Sequence, residues 1–337
     1  MRDNIKNKVD LLVRNREVLE KEFKWGYNIM NIAAALVYTG VNKEVDVARL
    51  KECKGILKKN TGMFSSFQSY SEAVVISKMA LKDDPEQYLK DIKMVYEKLN
   101  NKTVFDSSYL IQGAISICEA DRLYDSEMLA GRFKEIYKKM EKKHPFLTSS
   151  DDSPFAVMLA LTDKPVDQII DEMEECFTYL KKQIRLNVGA DEYQGLGEIL
   201  ALTGGDMKEK CDKVLALYNT FSEHKVKWGR EYNEFASLGT LIDLDVDNNV
   251  LVEETVEVAN YLKNIKGFGD WSLDNKQRLL FAAMMVGDSY NDSALRSSTT
   301  VNTTINSTVA MVIAEEVALM MCMMICATAS TSTTIIT

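Results

Sequence analysis

The sequence predicts an all-α protein built from about seven helical-hairpin repeats of about 41 residues, closing as either an α-solenoid or an α/α toroid. An aromatic residue recurs at Phe23, Phe64, Phe105 and Phe146, and the beat continues more loosely at Val188, Trp228 and Phe268. Only 4 prolines occur in 337 residues, beside abundant Leu, Lys, Glu, Met and Ala, which favour helix. No segment alternates apolar and polar residues in the manner of a half-buried strand.

Each repeat begins with the aromatic and a small polar group, as in Phe64-Ser65-Ser66, Phe105-Asp106-Ser107 and Phe146-Leu147-Thr148-Ser149. Ser, Thr and Asp side chains accept hydrogen bonds from the free N–H groups at a helix start. The preceding aromatic is expected to pack back on the first turn as a hydrophobic staple. A short, small-residue helix follows, for example Ile32-Ala33-Ala34-Ala35-Leu36, Gly113-Ala114-Ile115 and Leu196-Gly197-Glu198-Ile199-Leu200. Gly inside a helix costs about 1 kcal/mol of propensity, tolerable where two backbones must approach. These helices are therefore expected on a crowded inner layer.

A polar turn then leads to a longer amphipathic helix. Val166, Ile169, Ile170, Met173, Phe177, Leu180 and Ile184 form one stripe on a 3.6-residue period. Burying about six large apolar side chains yields on the order of 10–15 kcal/mol per repeat. Ordering about 40 residues costs more than that. A single hairpin should not fold alone, and stacked neighbours are required.

The segment Lys266-Gly267-Phe268-Gly269-Asp270-Trp271-Ser272, followed by Gln277-Arg278-Leu279-Leu280-Phe281-Ala282-Ala283, resembles the DUF4003 proteins of Firmicutes. The helical body and the Thr/Ser-rich, apolar tail are similar too. The resemblance implies a bacterial helical protein and supplies no activity, cofactor or catalytic residue.

The organisation expected is a helical-repeat domain over residues 1–296, a Ser/Thr-rich connector over 297–308, and an apolar C-terminal helix and tail over 309–337. In the tail only Glu315-Glu316 interrupt the apolar run from Val309 to Ala327. Its uninterrupted part is shorter than the roughly 20 residues a membrane-spanning helix needs. A helix buried against the last repeat or in a dimer interface is the plain expectation, with a membrane-surface role as the alternative. Cys322 and Cys326 sit four apart and read as soft packing.

A formal charge of −9 excludes a broad nucleic-acid surface, since phosphate neutralisation needs clustered Lys and Arg. The N-terminus shows no apolar signal-peptide core and the six cysteines no regular spacing, which points to a reducing cytoplasm. Two isolated histidines offer no zinc cluster, and Gly267-Phe268-Gly269 lacks the rest of a dinucleotide fingerprint.

One stretch carries metal-ligand spacing. Asp243, Asp245 and Asp247 occupy positions 1, 3 and 5 of an EF-hand-like loop, with Asn249 and, at position 12, Glu254. A calcium ion needs six to eight oxygens, which such spacing can wrap around it. The competing explanation is an acidic turn whose Asp residues cap the next helix. Acid pairs such as Asp151-Asp152 could serve a toroid enzyme that works with two carboxylates.

With so poor a catalytic inventory, the leading expectation is a cytoplasmic, non-catalytic binding or scaffold protein with a protein partner or self-association, and no cofactor. The alternative is an α/α-toroid enzyme on a sugar or lipid-like substrate, its pocket lined by Trp228, Trp271, Asp191 and Glu231. A calcium-responsive scaffold is a second alternative.

Overall fold

The computed structural model describes residues 1–24, 27–62, 65–100, 107–183, 188–231, 233–297, 308–320 and 322. Among them the chain is all helical and no strand forms. In chain order the helices are α1 (Asp3–Glu22), α2 (Asn28–Gly40), α3 (Val47–Asn60), α4 (Glu72–Ala80), α5 (Pro85–Asn100), α6 (Ser107–Glu119) and α7 (Ser126–Lys143). There follow α8 (Ser153–Leu161), α9 (Val166–Lys181), α10 (Ala190–Ala201), α11 (Met207–Glu223), α12 (Asn248–Lys263), α13 (Asn275–Ser297) and α14 (residues 308–320). A 3-10 segment, Ala236–Thr240, lies between α11 and α12.

Two kinds of helix alternate. The odd-numbered helices α1 to α11, and α12, bury one stripe, as Ile169, Ile170, Met173, Cys176, Phe177 and Leu180 do on α9. Helices α2, α4, α8 and α10 and the 3-10 segment bury almost every residue. Small residues permit that crowding. A Cβ on Gly113 of α6 would lie 2.9 Å from Cγ2 of Val157 on α8.

Acidic N-caps start several of the longer helices. Asp46 accepts from the N–H of Ala48 and Arg49, Asp206 from Glu209, and Asp247 from Asn249. At the other end of α10, Lys164 and Lys210 cap the free carbonyls. Lys164 Nζ donates to Ala201 O and Thr203 O, both at 2.7 Å.

The staple expectation fares unevenly. Phe23, Trp228 and Phe268 are buried, whereas Phe146 is 97% exposed and staples nothing. Phe64 and Phe105 lie outside the described residues.

Helices pack in sequential pairs, α1 on α2, α3 on α4, α5 on α6, α7 on α8, α9 on α10 and α12 on α13, and α5 also packs on α7 and α6 on α8. In addition α1 packs on α13. Beside that contact, polar groups fasten residues 2–28 to α12 and to the loop after it. Tyr261 OH donates to Asp10 Oδ1 at 2.6 Å, and Arg2 Nη2 to Glu254 Oε2 at 2.9 Å. Asn28 Nδ2 donates to Gly267 O at 2.7 Å, and Arg16 Nη1 to Lys266 O at 3.3 Å. Gly267 has φ +89°, a conformation that L side chains rarely adopt, and the Arg16 guanidinium fills the space its Cβ would need. Arg278, 1% exposed, donates to Phe268 O at 2.9 Å and Leu273 O at 3.2 Å and pairs with Asp270 at 2.7 Å.

Candidate functional site: the tail helix and the carboxylates around it

Helix α14 is the one element that departs from the alternation. Val309, Val312, Ile313, Ala314, Val317, Ala318 and Leu319 are all buried, and so are Glu315 and Glu316. Burial of an apolar helix on several sides requires walls on several sides, and the inner segments supply them. A cavity of about 440 Å³ beside α14 is lined by Leu36, Val37 and Gly40 of α2, Lys78 of α4, Gln112 and Ile115 of α6, Thr240, and Met284 and Met285 of α13. Residues from α14 itself, Met311, Val312 and Glu315, complete the wall. Helices from the two ends of the chain thus face one space.

The adjacent acids of the tail point to different neighbours. Glu315 forms an ion pair with Lys78 at 3.2 Å. Its carboxyl is nonetheless raised above the ordinary range, because burial outweighs the lysine. Glu316 Oε2 accepts from Asn233 Nδ2 at 3.0 Å, while its Oε1 is buried without a hydrogen-bond partner. Burial, reinforced by Asp151 and Asp152, holds the Glu316 carboxyl well above its ordinary value.

Glu316 has acidic company. Asp152, just before α8, accepts from the Ser149 N–H at 2.6 Å and lies beside Glu198 of α10. Two buried carboxyl groups side by side disfavour each other's ionised form. Burial first, and then Asp151, push Asp152 up to about 7. Burial and the neighbouring Asp152 push Glu198 well above its usual range. Glu198 Oε1 accepts from Gln194 Nε2 at 3.2 Å, and its Oε2 finds no donor.

Glu192, further up α10, shows the opposite solution. Its carboxylate accepts from the backbone N–H groups of Asn233, Phe235 and Ala236 at 2.7, 2.8 and 3.1 Å. It thereby anchors the loop that carries Asn233. Burial still raises it to about 7. Chemically, this assembly can hold and exchange protons. Among the described residues no group of three or more His, Cys, Asp or Glu is placed to hold a metal ion.

The EF-hand-like residues are not gathered round one centre. Helix α12 begins at Asn248, inside the twelve-residue span, so the chain does not loop around a cation. Asp247 caps that helix, Asp243 pairs with Lys213 at 3.3 Å, and Asn249 Oδ1 lies 3.1 Å from His224 Nε2. Asp245 is exposed. Glu254 sits in the second turn of α12, engaged by Arg2 and by Tyr290 OH at 2.8 Å. The four residues expected around a toroid pocket do not converge either. Trp228 is buried and donates to Glu234 O at 2.8 Å, while Trp271, Asp191 and Glu231 are exposed.

Glu192, Glu198 and the placement of Glu316 were missed in the sequence, although a signal exists. Glu198 is the lone charge in Leu196-Gly197-Glu198-Ile199-Leu200-Ala201-Leu202, and Glu315-Glu316 are the only charges in the apolar tail. A charge inside an apolar helical run marks a buried ionisable group.

Among the described residues the chain is all helical, and α2, α4, α6 and α13 share one cavity with its apolar, diacidic helix α14. Residues 15–314 match the family described as Protein of unknown function (DUF4003), and the chain belongs to that family. It is also similar to an uncharacterized protein, YeaA, of Bacillus subtilis (strain 168), with 26% identity over 172 residues. That match covers 48% of this chain and 50% of YeaA, so it spans half the relative's length. No solved structure matches the chain. No helix among the described residues is long and apolar enough to cross a membrane.

Proposed function

We propose that seven helix pairs close into an α/α ring and that the ring is a non-catalytic binding protein whose central well receives an apolar helix. The carrying observation is α14 itself, walled by α2, α4, α6, the 3-10 segment and α13 around one cavity. The fastening of residues 2–28 to residues 254–267 supports closure. An apolar helix laid into an apolar receptacle is a common mode of protein recognition. Here the occupant is the chain's own tail. An exchanging partner would be the same helix of a second copy, or a helix of another protein with the same apolar and diacidic character.

The test is uptake in trans. A fluorescent peptide of residues 308–322, added to the full chain, is expected to bind saturably and to be displaced by unlabelled peptide. No uptake at a tenfold excess over a day refutes the receptacle.

A second reading, a toroid enzyme on a sugar or lipid-like substrate, is favoured by the Asp152–Glu198 pair, two buried carboxyl groups that raise each other above the ordinary range. It requires α14 to leave the well. Turnover of any glycoside or ester that is abolished by Asp152→Asn and by Glu198→Gln would establish it over the first reading.

A further inference from the structure

The tail enters the well with a carboxyl group whose neighbours are mostly carboxyls. Asp151 and Asp152 face Glu316 from the start of α8, and Glu198 reaches the same group from α10. Tyr137 of α7 borders Asp152 and Glu198 and is itself neutral, its hydroxyl raised by burial. Asn233 supplies the donor to Glu316, and Gln194 the donor to Glu198. Glu192 is taken up by three backbone N–H groups, and Glu234 faces Lys276 and Asp274. On the other side of α14, Lys78 meets Glu315 and Glu119. Among the described residues, no lysine or arginine forms an ion pair with Asp152, Glu198 or Glu316.

Two oxygens in the group, Glu198 Oε2 and Glu316 Oε1, are buried with no hydrogen-bond partner. As ionised acceptors they would face each other's charge without compensation. As protonated carboxyls they become donors, and Asp152 is an acceptor within the group.

We infer that docking of the tail helix takes up protons, and that Asp152, Glu198 and Glu316 form a latch that holds α14 while the cluster is protonated and releases it as the cluster ionises. This inference deepens the receptacle reading and rests on it. With α14 free, Glu316 is a solvated carboxyl that ionises near 4.3. Docked, it and Glu198 are raised well above that range and Asp152 to about 7. The docked state therefore binds more protons, and its stability falls as pH rises from the free carboxyl range through the docked values. Each retained proton is worth about a tenfold loss of tail affinity per pH unit in that window.

The experiment uses the full chain with a protease site placed in the connector, at residues 298–307, and cut after folding. The tail is then held only by its contacts, and its co-elution with the body on gel filtration is followed at pH 6 and pH 9. The latch predicts retention at pH 6 and loss at pH 9, at least about 100-fold in apparent affinity. Glu316→Gln, an uncharged mimic of the protonated side chain, should keep the tail bound at both values, and Glu315→Gln should leave the pH dependence in place. Near-ultraviolet dichroism of the body at pH 9 reports whether the rest of the fold stays intact. Retention that does not change with pH overturns the latch. Release at both values, by wild type and Glu316→Gln alike, also overturns it but leaves the receptacle standing, because that reading fails only when the peptide is not taken up in trans.

Discussion

The seam between residues 2–28 and 254–267 and the cluster beneath the tail helix both bury charge, yet they treat it in opposite ways. At the seam, Asn28 and Arg16 reach the carbonyls of Gly267 and Lys266, and behind it Arg278 ties Phe268, Leu273 and Asp270 of its own segment together. Beneath the tail, Glu198 and Glu316 each leave an oxygen without a partner. A fully paired buried network holds one geometry. An unpaired buried carboxyl costs stability and persists where its protonation does something. The contrast separates a network that fixes one geometry from a cluster that can still exchange protons.

Removing the donor that braces the segment behind the seam should therefore have the largest effect. Arg278→Ala strands Phe268 O and Leu273 O in the interior and is expected to cost on the order of 3–5 kcal/mol in urea unfolding. A loss below 1 kcal/mol would mean that Arg278 does not hold the segment from Phe268 to Leu273 in place.

Beneath the tail the prediction concerns pH. Glu192 is raised from 4.5 to about 7, so the folded state binds a proton that the unfolded chain releases earlier. Its contribution is complete below about pH 4.5 and is lost as pH rises through about 7, by up to about 3 kcal/mol. Asp152 acts in the same direction. Unfolding midpoints should accordingly fall between pH 5 and pH 8, and Glu198→Gln should flatten the decline. A stability that rises across that range would contradict the burial argument.

Smaller changes sharpen the comparison. Asn28→Ala removes the hydrogen bond to Gly267 O and the acceptor of Arg16, for an expected loss of about 1–2 kcal/mol. Smallest is the expected response to a hard cation. With Glu254 held by Arg2 and Tyr290, terbium luminescence from residues 243–254 should be negligible at micromolar protein. A strong signal displaced by calcium and lost in Asp243→Ala would restore a calcium site there.

Much of the layering could be read from residue patterns. The apolar stripe of α9 and the small-residue run of α8 are local, periodic signals, and local periodicity specifies helix type and buried face. Asp247 at the start of α12 is likewise a local cap. The seam is different. Asn28 and Gly267 are 239 residues apart, and no period links them. Even so, the segment from Lys266 to Ala283 that marks the family contains Lys266 and Gly267, whose carbonyls the seam uses, and Arg278, which braces that segment. Trp228 and Trp271 misled because aromatics read as pocket walls, when one fills the core and the other faces solvent. The carboxyl cluster was illegible for the same reason as the seam: Asp152, Glu198 and Glu316 meet only once the helices that carry them are stacked.

Ring closure is the premise on which both regions depend, and small-angle X-ray scattering measures it directly. A closed array of 337 residues with the tail seated inside should show a radius of gyration of about 20 Å and a single-peaked distance distribution. A radius above about 25 Å for a monomer, with a distribution drawn out to long distances, would describe an open array and contradict the account.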